Sequence, residues 1–289
     1  MSLLDTYLHL RYKPKRPQFN KYELPPVFKH FDLVLWWPDS IRASRIYNRS
    51  PKNILCLANS KTFKLLNLCS SFLRDCTIIV AGEDTNLSVF LEVIDPVIIQ
   101  NNTIYYEAKD VYHDTIKSFS MGLISYYVHR VGEKFIESQL GRLSDSSLKK
   151  QGVLAAWGGI WKHLDEELDD RKSAVEFVNK ASWISRELLN PQEYWKRLVD
   201  VKYLIAPAGQ GVQAPKLAEA WLANTVPIVT RNPCFEDLAE AGFPLVLLDN
   251  WGDCTERTLI EYESSRNAID WKRVEYCITG ESFLSKVLK

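Results

Sequence analysis

Short apolar runs alternate with longer helix-like segments along this 289-residue chain, and this alternation constrains the fold more than any other feature. The apolar runs have the length of strands, and the segments between them carry apolar residues at helical spacing. Repeated strand–helix–strand order predicts parallel sheets covered by helices, that is, an α/β fold. The predicted strands are 33–37, 53–58, 77–81, 97–100, 152–156, 203–206, 226–230 and 245–248. The predicted helices are 60–73, 172–178, 214–223 and 234–240. The buried stripe predicted for the first of them is Phe63, Leu66, Leu68 and Phe72.

A polar run at residues 141–151 (GRLSDSSLKKQ) directly precedes a predicted strand and is typical of a domain boundary. We therefore predict two Rossmann-like domains, 1–145 and 146–289, that face each other across a cleft. The last 25 or so residues are expected to pack back on the first domain. In such sheets, ligands bind at the carboxyl ends of the strands.

Composition and motif searches exclude several classes of protein. Acidic and basic residues balance at 36 each, which argues against nucleic acid as a partner, because polyphosphate binding usually needs a basic face. The sequence has neither a GxGxxG fingerprint after an early strand nor a GxxxxGK[ST] motif. Nicotinamide dehydrogenases and common P-loop kinases are therefore disfavoured.

The cellular setting is predicted from what the sequence lacks. No apolar run approaches about 18 residues, so no membrane span is predicted. The N-terminus has no signal-peptide pattern, and the six cysteines form no CxxC pair. Free thiols in a reducing compartment are a better interpretation of these cysteines than a disulfide framework in a chain of this length. We therefore expect a cytoplasmic protein without a zinc site.

The segment 203–237 carries the clearest chemical signal. A predicted strand ends in a loop with Pro207, Gly209 and Gly211, and a helix opens at Ala214. Such a loop lets backbone approach a ligand, and a helix N-terminus favours an anion. With Lys216 on the phosphates and Glu219 on a ribose, the segment could hold a nucleoside diphosphate. The alternative is an ordinary strand-to-helix turn with a solvated Lys and Glu.

This segment resembles the donor-binding segment of exostosin-like glycosyltransferases, a family of GT-B architecture. Two positions depart from the family pattern. Lys216 replaces an Arg, which keeps the charge but loses the bidentate fork, and Asn224 replaces a Gly. Asn tolerates the left-handed conformation that a Gly adopts at such a position. The matching residues, in family order, are Pro207, Gly209, Pro215, Lys216, Glu219, Ala220, Ala223, Pro227, Ile228 and Val229.

Three further stretches are similar to motifs of the same family. Residues 75–86 place Asp84 on a family Asp and Glu83 on a family His. Residues 105–113 match a Lys-Asp-Val motif, which includes Asp110. Residues 153–161 match the first strand and loop of the donor domain. The four stretches together extend from residue 75 to residue 237.

The resemblance implies an inverting transfer of a sugar from a UDP-sugar, bound by the C-terminal domain, to a hydroxyl of an acceptor glycan or glycoprotein, bound by the N-terminal domain. Such a transfer needs a general base for the acceptor hydroxyl. Asp84 is the first candidate, although an Asp after a strand can also be a helix N-cap. Asp39, in the sequence WWPDS, is the rival base. The other acceptor-side candidates are Glu83, Asp110 and His113.

The donor side is expected to use Gly158 and Gly159, which follow the first strand of the donor domain, and a cation for the diphosphate. Arg186 is the preferred Arg, and Arg171 is interpreted as part of a solvated charged helix. The adjacent acids Asp169 and Asp170 do not form an Asp-x-Asp metal motif, so no metal or other cofactor is required. A monomer or weak dimer is expected.

The resemblance also favours a cytosolic enzyme of a microbe or of a large algal virus that glycosylates its own capsid protein, because the chain is short and lacks the family's usual membrane anchor. Xylose is the first sugar to consider. Two alternatives stay open at this point: a non-catalytic module that binds a nucleotide or glycan, and a nucleotide-sugar epimerase of the same architecture.

Overall fold

The computed structural model describes residues 31–35, 45–46, 51–82, 85–123, 125–157, 169–209, 211–265 and 268–278. Contacts between Cα atoms divide the chain into two compact units. The first unit extends to Tyr126 and also includes the short segment Gly211–Gln213 and Ile278. The second unit contains Tyr127–Gln210 and Ala214–Cys277.

The first unit contains a six-stranded sheet in the order β2-β1-β3-β4-β5-β6. All neighbouring strands are parallel except β2, which is antiparallel to β1. The strands are β1 (Leu33–Leu35), β2 (Arg45–Ile46), β3 (Asn53–Leu57), β4 (Thr77–Ala81), β5 (Thr103–Tyr106) and β6 (Ile116–Ser118). The helices are α1 (Ser60–Leu68), α2 (Leu87–Val93) and α3 (Pro96–Asn101), and a 3₁₀ turn covers Ser70–Phe72.

Helix α1 shows how the sequence sets an element and where the prediction was partly wrong. The Asn59 side chain accepts hydrogen bonds from the backbone N–H groups of Lys61 and Thr62, which caps the helix start. Phe63 and Leu66 are buried, as predicted. The other two members of the predicted buried stripe, Leu68 and Phe72, are exposed. Leu68 lies about 140° around the helix from Phe63, and Phe72 lies in the 3₁₀ turn that follows the helix end.

The predicted strand at 97–100 is wrong, because these residues lie in α3. Asp95 caps this helix by accepting a hydrogen bond from the Val97 N–H, and Pro96 occupies its first turn. Both residues are typical helix starters. The strand of this region is β5, which begins two residues after the helix ends.

The second unit contains a five-stranded parallel sheet in the order β11-β10-β9-β7-β8. Its strands are β7 (Val153–Ala155), β8 (Ile184–Arg186), β9 (Tyr203–Ile205), β10 (Val226–Thr230) and β11 (Val246–Leu248). Its helices are α5 (Glu133–Gly141), α6 (Asp169–Lys180), α7 (Pro191–Leu198), α8 (Lys216–Leu222), α9 (Pro233–Glu240), α10 (Glu256–Ser265) and α11 (Trp271–Ile278). Helix α4 (Ser125–Val131) spans the division between the units, and a 3₁₀ turn covers Trp251–Asp253.

The division after Tyr126 lies before the predicted boundary at residue 145. Helix α5, which the sequence placed in the first domain, packs against α7 of the second unit. The Lys196 ammonium lies 5.8 Å from the centre of the Phe135 ring, and Arg142 forms an ion pair with Asp200. These contacts connect α5 and the start of the polar run to the second unit.

The chain is thus an α/β protein with two separate, mainly parallel sheets. Across the described ranges, no helix is both long enough and apolar enough to cross a bilayer. The six cysteines, which all lie within the described ranges, form no disulfide bond.

Candidate functional site

The carboxyl ends of three strands of the second sheet are joined by one carboxylate, that of Asp170 at the start of α6. One carboxylate oxygen of Asp170 accepts a hydrogen bond from the Ala208 N–H after β9, at 2.8 Å. The other oxygen accepts bonds from the Thr230 hydroxyl at the end of β10 and from the Trp251 indole N–H after β11, both at 2.8 Å. Asp170 therefore fixes the edge of the sheet at which α/β proteins bind ligands.

Replacing Asp170 with Ala is expected to lower the free energy of unfolding by about 2 kcal/mol, because three donors lose a charged acceptor. Urea denaturation measures the change. The control is Asp169→Ala, since Asp169 is the adjacent carboxylate and is exposed. Equal stabilities of the two variants would contradict the role of Asp170.

Next to this edge, α7 and α8 bring Tyr194, Lys216 and Glu219 together. The Lys216 ammonium lies 4.2 Å from the centre of the Tyr194 ring and donates a hydrogen bond to the carbonyl of Ala156, just after β7. Glu219 lies one helical turn after Lys216 and is buried. The Tyr194 hydroxyl is buried beside the Glu219 carboxyl, but the two groups do not form a hydrogen bond of good geometry. We call these three residues the Lys216 cluster.

Burial sets the protonation of the Lys216 cluster. It raises the pKa of Glu219 above the usual value for a carboxyl, and the positive charge of Lys216 opposes this rise. Burial also lowers the pKa of Lys216, while Glu219 raises it and Arg171 lowers it further. Lys216 and Glu219 thus interact electrostatically in a poorly solvated place, where a charged or polar group has a stronger effect than in water.

The two Arg candidates for the diphosphate differ in burial, and in the opposite sense to the prediction. Arg171, interpreted as solvated, is buried on α6 and near enough to Lys216 to influence its pKa. That interpretation was wrong, because the first turn of α6 lies against the end of the sheet. Arg186, the preferred candidate, is exposed at the end of the edge strand β8 and donates a hydrogen bond to the Asn179 side chain.

The predicted donor loop is divided between the two units. Pro207 and Gly209 follow β9 in the second unit, and Ala214 is buried immediately before α8. Gly211, in contrast, belongs to the segment that is part of the first unit. After α8, Asn224 has a φ of 55°, the left-handed conformation expected where the family has Gly.

Gln213 explains why this short segment belongs to the first unit. Its amide is fully buried, and its Nε2 donates hydrogen bonds to the carbonyls of Glu107 and Phe119, both at 2.8 Å. Its Oε1 accepts a bond from the Met121 N–H at 3.2 Å. The loop is therefore fixed by protein contacts at Gln213, a residue that the sequence analysis did not single out.

Two acceptor-side candidates have local structural contacts in the first unit. One oxygen of Asp110 accepts from the Ser88 N–H at 2.9 Å and the other accepts from the Ser88 hydroxyl at 2.5 Å, so Asp110 satisfies the first turn of α2. His113 is half-buried, and its Nδ1 lies 3.3 Å from the Thr115 N–H. The contacts with Ser88 and Thr115 do not connect the Asp110 and His113 side chains to each other.

Five of the predicted residues lie outside the described ranges. Their sequence positions still relate them to described strands: three follow strands of the first sheet, and two follow β7 of the second sheet. They are Asp39, Glu83, Asp84, Gly158 and Gly159.

Tyr194 and Asp170 were not predicted as site residues, and Arg171 was considered but interpreted as solvated. The aromatic ring of Tyr194 comes from α7, and the other two come from the start of α6, at a distance in sequence from the loop that carried the signal. A charged pair at the start of a helix, such as Asp170-Arg171, resembles any solvated helix end in sequence. Only the packing of α6 on the sheet distinguishes it.

The described ranges contain no group of three or more His, Cys, Asp or Glu side chains that could hold a metal ion. No family profile matches the chain, and no curated protein is significantly similar to it.

Proposed function

We propose that the protein is an inverting glycosyltransferase of the GT-B type, which transfers a sugar from a UDP-sugar to a hydroxyl of an acceptor glycan. The observation that carries the proposal is the Lys216 cluster: a half-buried Lys and a buried Glu one helical turn apart, with a Tyr, at the carboxyl edge of a parallel sheet. Charged groups in so poorly solvated a place are costly, and titratable groups whose pKa values are shifted by burial and by a charged neighbour are concentrated at functional sites.

The chemistry of the cluster fits a nucleotide. The Lys216 ammonium, with Arg171 nearby, provides positive charge for a diphosphate, and the Glu219 carboxyl provides an acceptor for ribose hydroxyls. Two α/β units with parallel sheets agree in number and type with the two domains of a GT-B enzyme. The general base would come from the first unit, and Asp84 is its first candidate. Xylose is the first donor sugar to test.

Replacing Glu219 with Ala is expected to weaken UDP binding tenfold to a hundredfold, since a hydrogen bond to a charged group contributes about 1.5–3 kcal/mol. Isothermal titration calorimetry at neutral pH measures the affinity. Glu240→Ala is the matched control, because Glu240 is an exposed residue at the end of α9. UDP binding of equal strength in the wild type and in Glu219→Ala would exclude Glu219 from the nucleotide site.

A further inference from the structure

Lys150 lies just before β7, and its ammonium group has four oxygen neighbours. It donates hydrogen bonds to the carbonyls of Val199 at 2.9 Å, Ala223 at 2.7 Å and Leu198 at 3.3 Å. The fourth neighbour is the hydroxyl oxygen of Thr225, at 2.9 Å. We call these five residues the Lys150 cluster.

The three carbonyls belong to the ends of two helices. Leu198 is the last residue of α7 and Val199 its C-cap, while Ala223 is the C-cap of α8. The last carbonyls of a helix have no partner within the helix and carry its negative partial charge. One ammonium group therefore neutralises the negative partial charge at the ends of two helices. Lys side chains are suited to this role because they can donate hydrogen bonds to the last carbonyls of a helix.

Burial and hydrogen bonding act on the charge of Lys150 in opposite directions. Burial lowers the pKa of Lys150 to about 7, with Asp200 opposing and Arg142 adding to this change. Hydrogen bonds to oxygen atoms act in the other direction, since a neutral amine would direct its lone pair at one of the four oxygens. The nearby charges of Asp200 and Arg142 are paired with each other. From the end of α8, the groups that contact the Lys150 ammonium are the Ala223 carbonyl and the Thr225 hydroxyl.

Thr225 extends the same cluster. Its side chain is fully buried, and its hydroxyl lies 2.8 Å from the carbonyl of Leu198 and 3.1 Å from that of Val201. Thr225, three residues after the end of α8, thereby contacts the end of α7 independently of the lysine. The two short helices are linked at their C-terminal ends by side chains from outside both of them.

These two helices carry the Lys216 cluster. Tyr194 lies on α7, one turn before its last residue, and Lys216 and Glu219 lie on α8. The contact between the Tyr194 ring and the Lys216 ammonium depends on the relative position of the helices. We propose that Lys150 is a positioning residue, which binds the ends of α7 and α8 together and so holds Tyr194 against Lys216 and Glu219.

Hydrogen–deuterium exchange on the ligand-free full-length chain tests the proposal without reference to any substrate. Lys150→Met, which keeps the length of the side chain but removes its donors, is expected to speed amide exchange at least tenfold in two peptides, 194–200 and 216–225. Exchange in β10 and α9 should stay as in the wild type. Lys150→Arg, which restores a cation with several donors, should recover part of the protection.

Lys202→Met is the matched control, because Lys202 is a partly exposed lysine of the same unit that pairs with Glu263. Thr225→Val is a milder variant that should give a smaller increase in the same two peptides, and it serves if Lys150→Met fails to fold. Unchanged exchange in the two peptides, an equal increase throughout the second unit, or the same result for Lys202→Met would each overturn the proposal.

The consequence for ligand binding rests on the proposed function. Lys150→Met should weaken UDP binding about tenfold, and Lys150→Arg should recover most of the affinity. A local change in exchange with unchanged UDP affinity would show that Lys150 joins the helices without positioning the site, which overturns the proposal. If the wild type does not bind UDP, the proposed function fails, and the exchange of the amides at 194–195 and 216–219 alone decides whether Lys150 positions the cluster.

Discussion

Asp84→Asn is expected to lower the turnover of sugar transfer by about 10²–10⁴-fold, because Asn keeps the shape of the side chain but cannot take a proton from the acceptor hydroxyl. The affinity for UDP should not change, since Asp84 is proposed to act on the acceptor and not on the donor. Asp84 follows β4, which lies in the middle of the first sheet between β3 and β5. The carboxyl end of a central strand is where α/β proteins gather reactive side chains.

Two comparisons identify the base. Asp39→Asn tests the rival carboxylate, which follows β1 in sequence. Asp110→Asn should mainly affect stability, because that carboxylate binds Ser88 at the start of α2. Loss of turnover in Asp39→Asn but not in Asp84→Asn would move the base to the loop after β1. If neither substitution matters, Glu83 and His113 are the next candidates.

Gln213→Ala is expected to lower the free energy of unfolding by about 4 kcal/mol, the largest effect on stability that we predict. The substitution leaves the carbonyls of Glu107 and Phe119 and the N–H of Met121 without their buried partner and also leaves a cavity. Because Gly211–Gln213 belongs to the first unit, the loss should be concentrated in the unfolding of that unit.

Chemical denaturation followed by circular dichroism measures this loss. Gln192→Ala is the matched control, since Gln192 is exposed and its side chain makes a single long contact of 3.5 Å with the Val131 carbonyl. A loss below about 1 kcal/mol for Gln213→Ala, the typical cost of one ordinary hydrogen bond, would contradict the assigned role of its amide.

The central strands could be predicted because they are buried on both faces. β3, β4 and β10 are continuous apolar runs, as parallel strands covered by helices must be, and their predicted bounds agree closely with the structure. The run at 97–100 has the same composition, but it follows Asp95-Pro96, which starts a helix. Edge strands β6 and β8 are short and partly polar, so their sequences contain no comparable signal.

Of the residues that form the site, the sequence predicted those in one loop and in the helix that follows it. Lys216 and Glu219 lie a turn apart on one helix, so local sequence was enough to select both. Tyr194 and Arg171 reach the same place from α7 and α6, and no local pattern relates them to Lys216. Lys150 was read as part of a polar linker, because its four oxygen neighbours are backbone and hydroxyl groups that the sequence does not bring near it.

The most direct test of the central claim is the release of UDP from UDP-sugars, with UDP-xylose first, measured with and without an acceptor glycan and with analysis of the sugar products. We predict that UDP release is slow without the acceptor, that the acceptor accelerates it, and that the sugar appears on the acceptor with inverted anomeric configuration. UDP that binds but is never released from a UDP-sugar would contradict the account in favour of a non-catalytic binding module. A sugar that is isomerised while it remains attached to UDP would contradict it in favour of an epimerase.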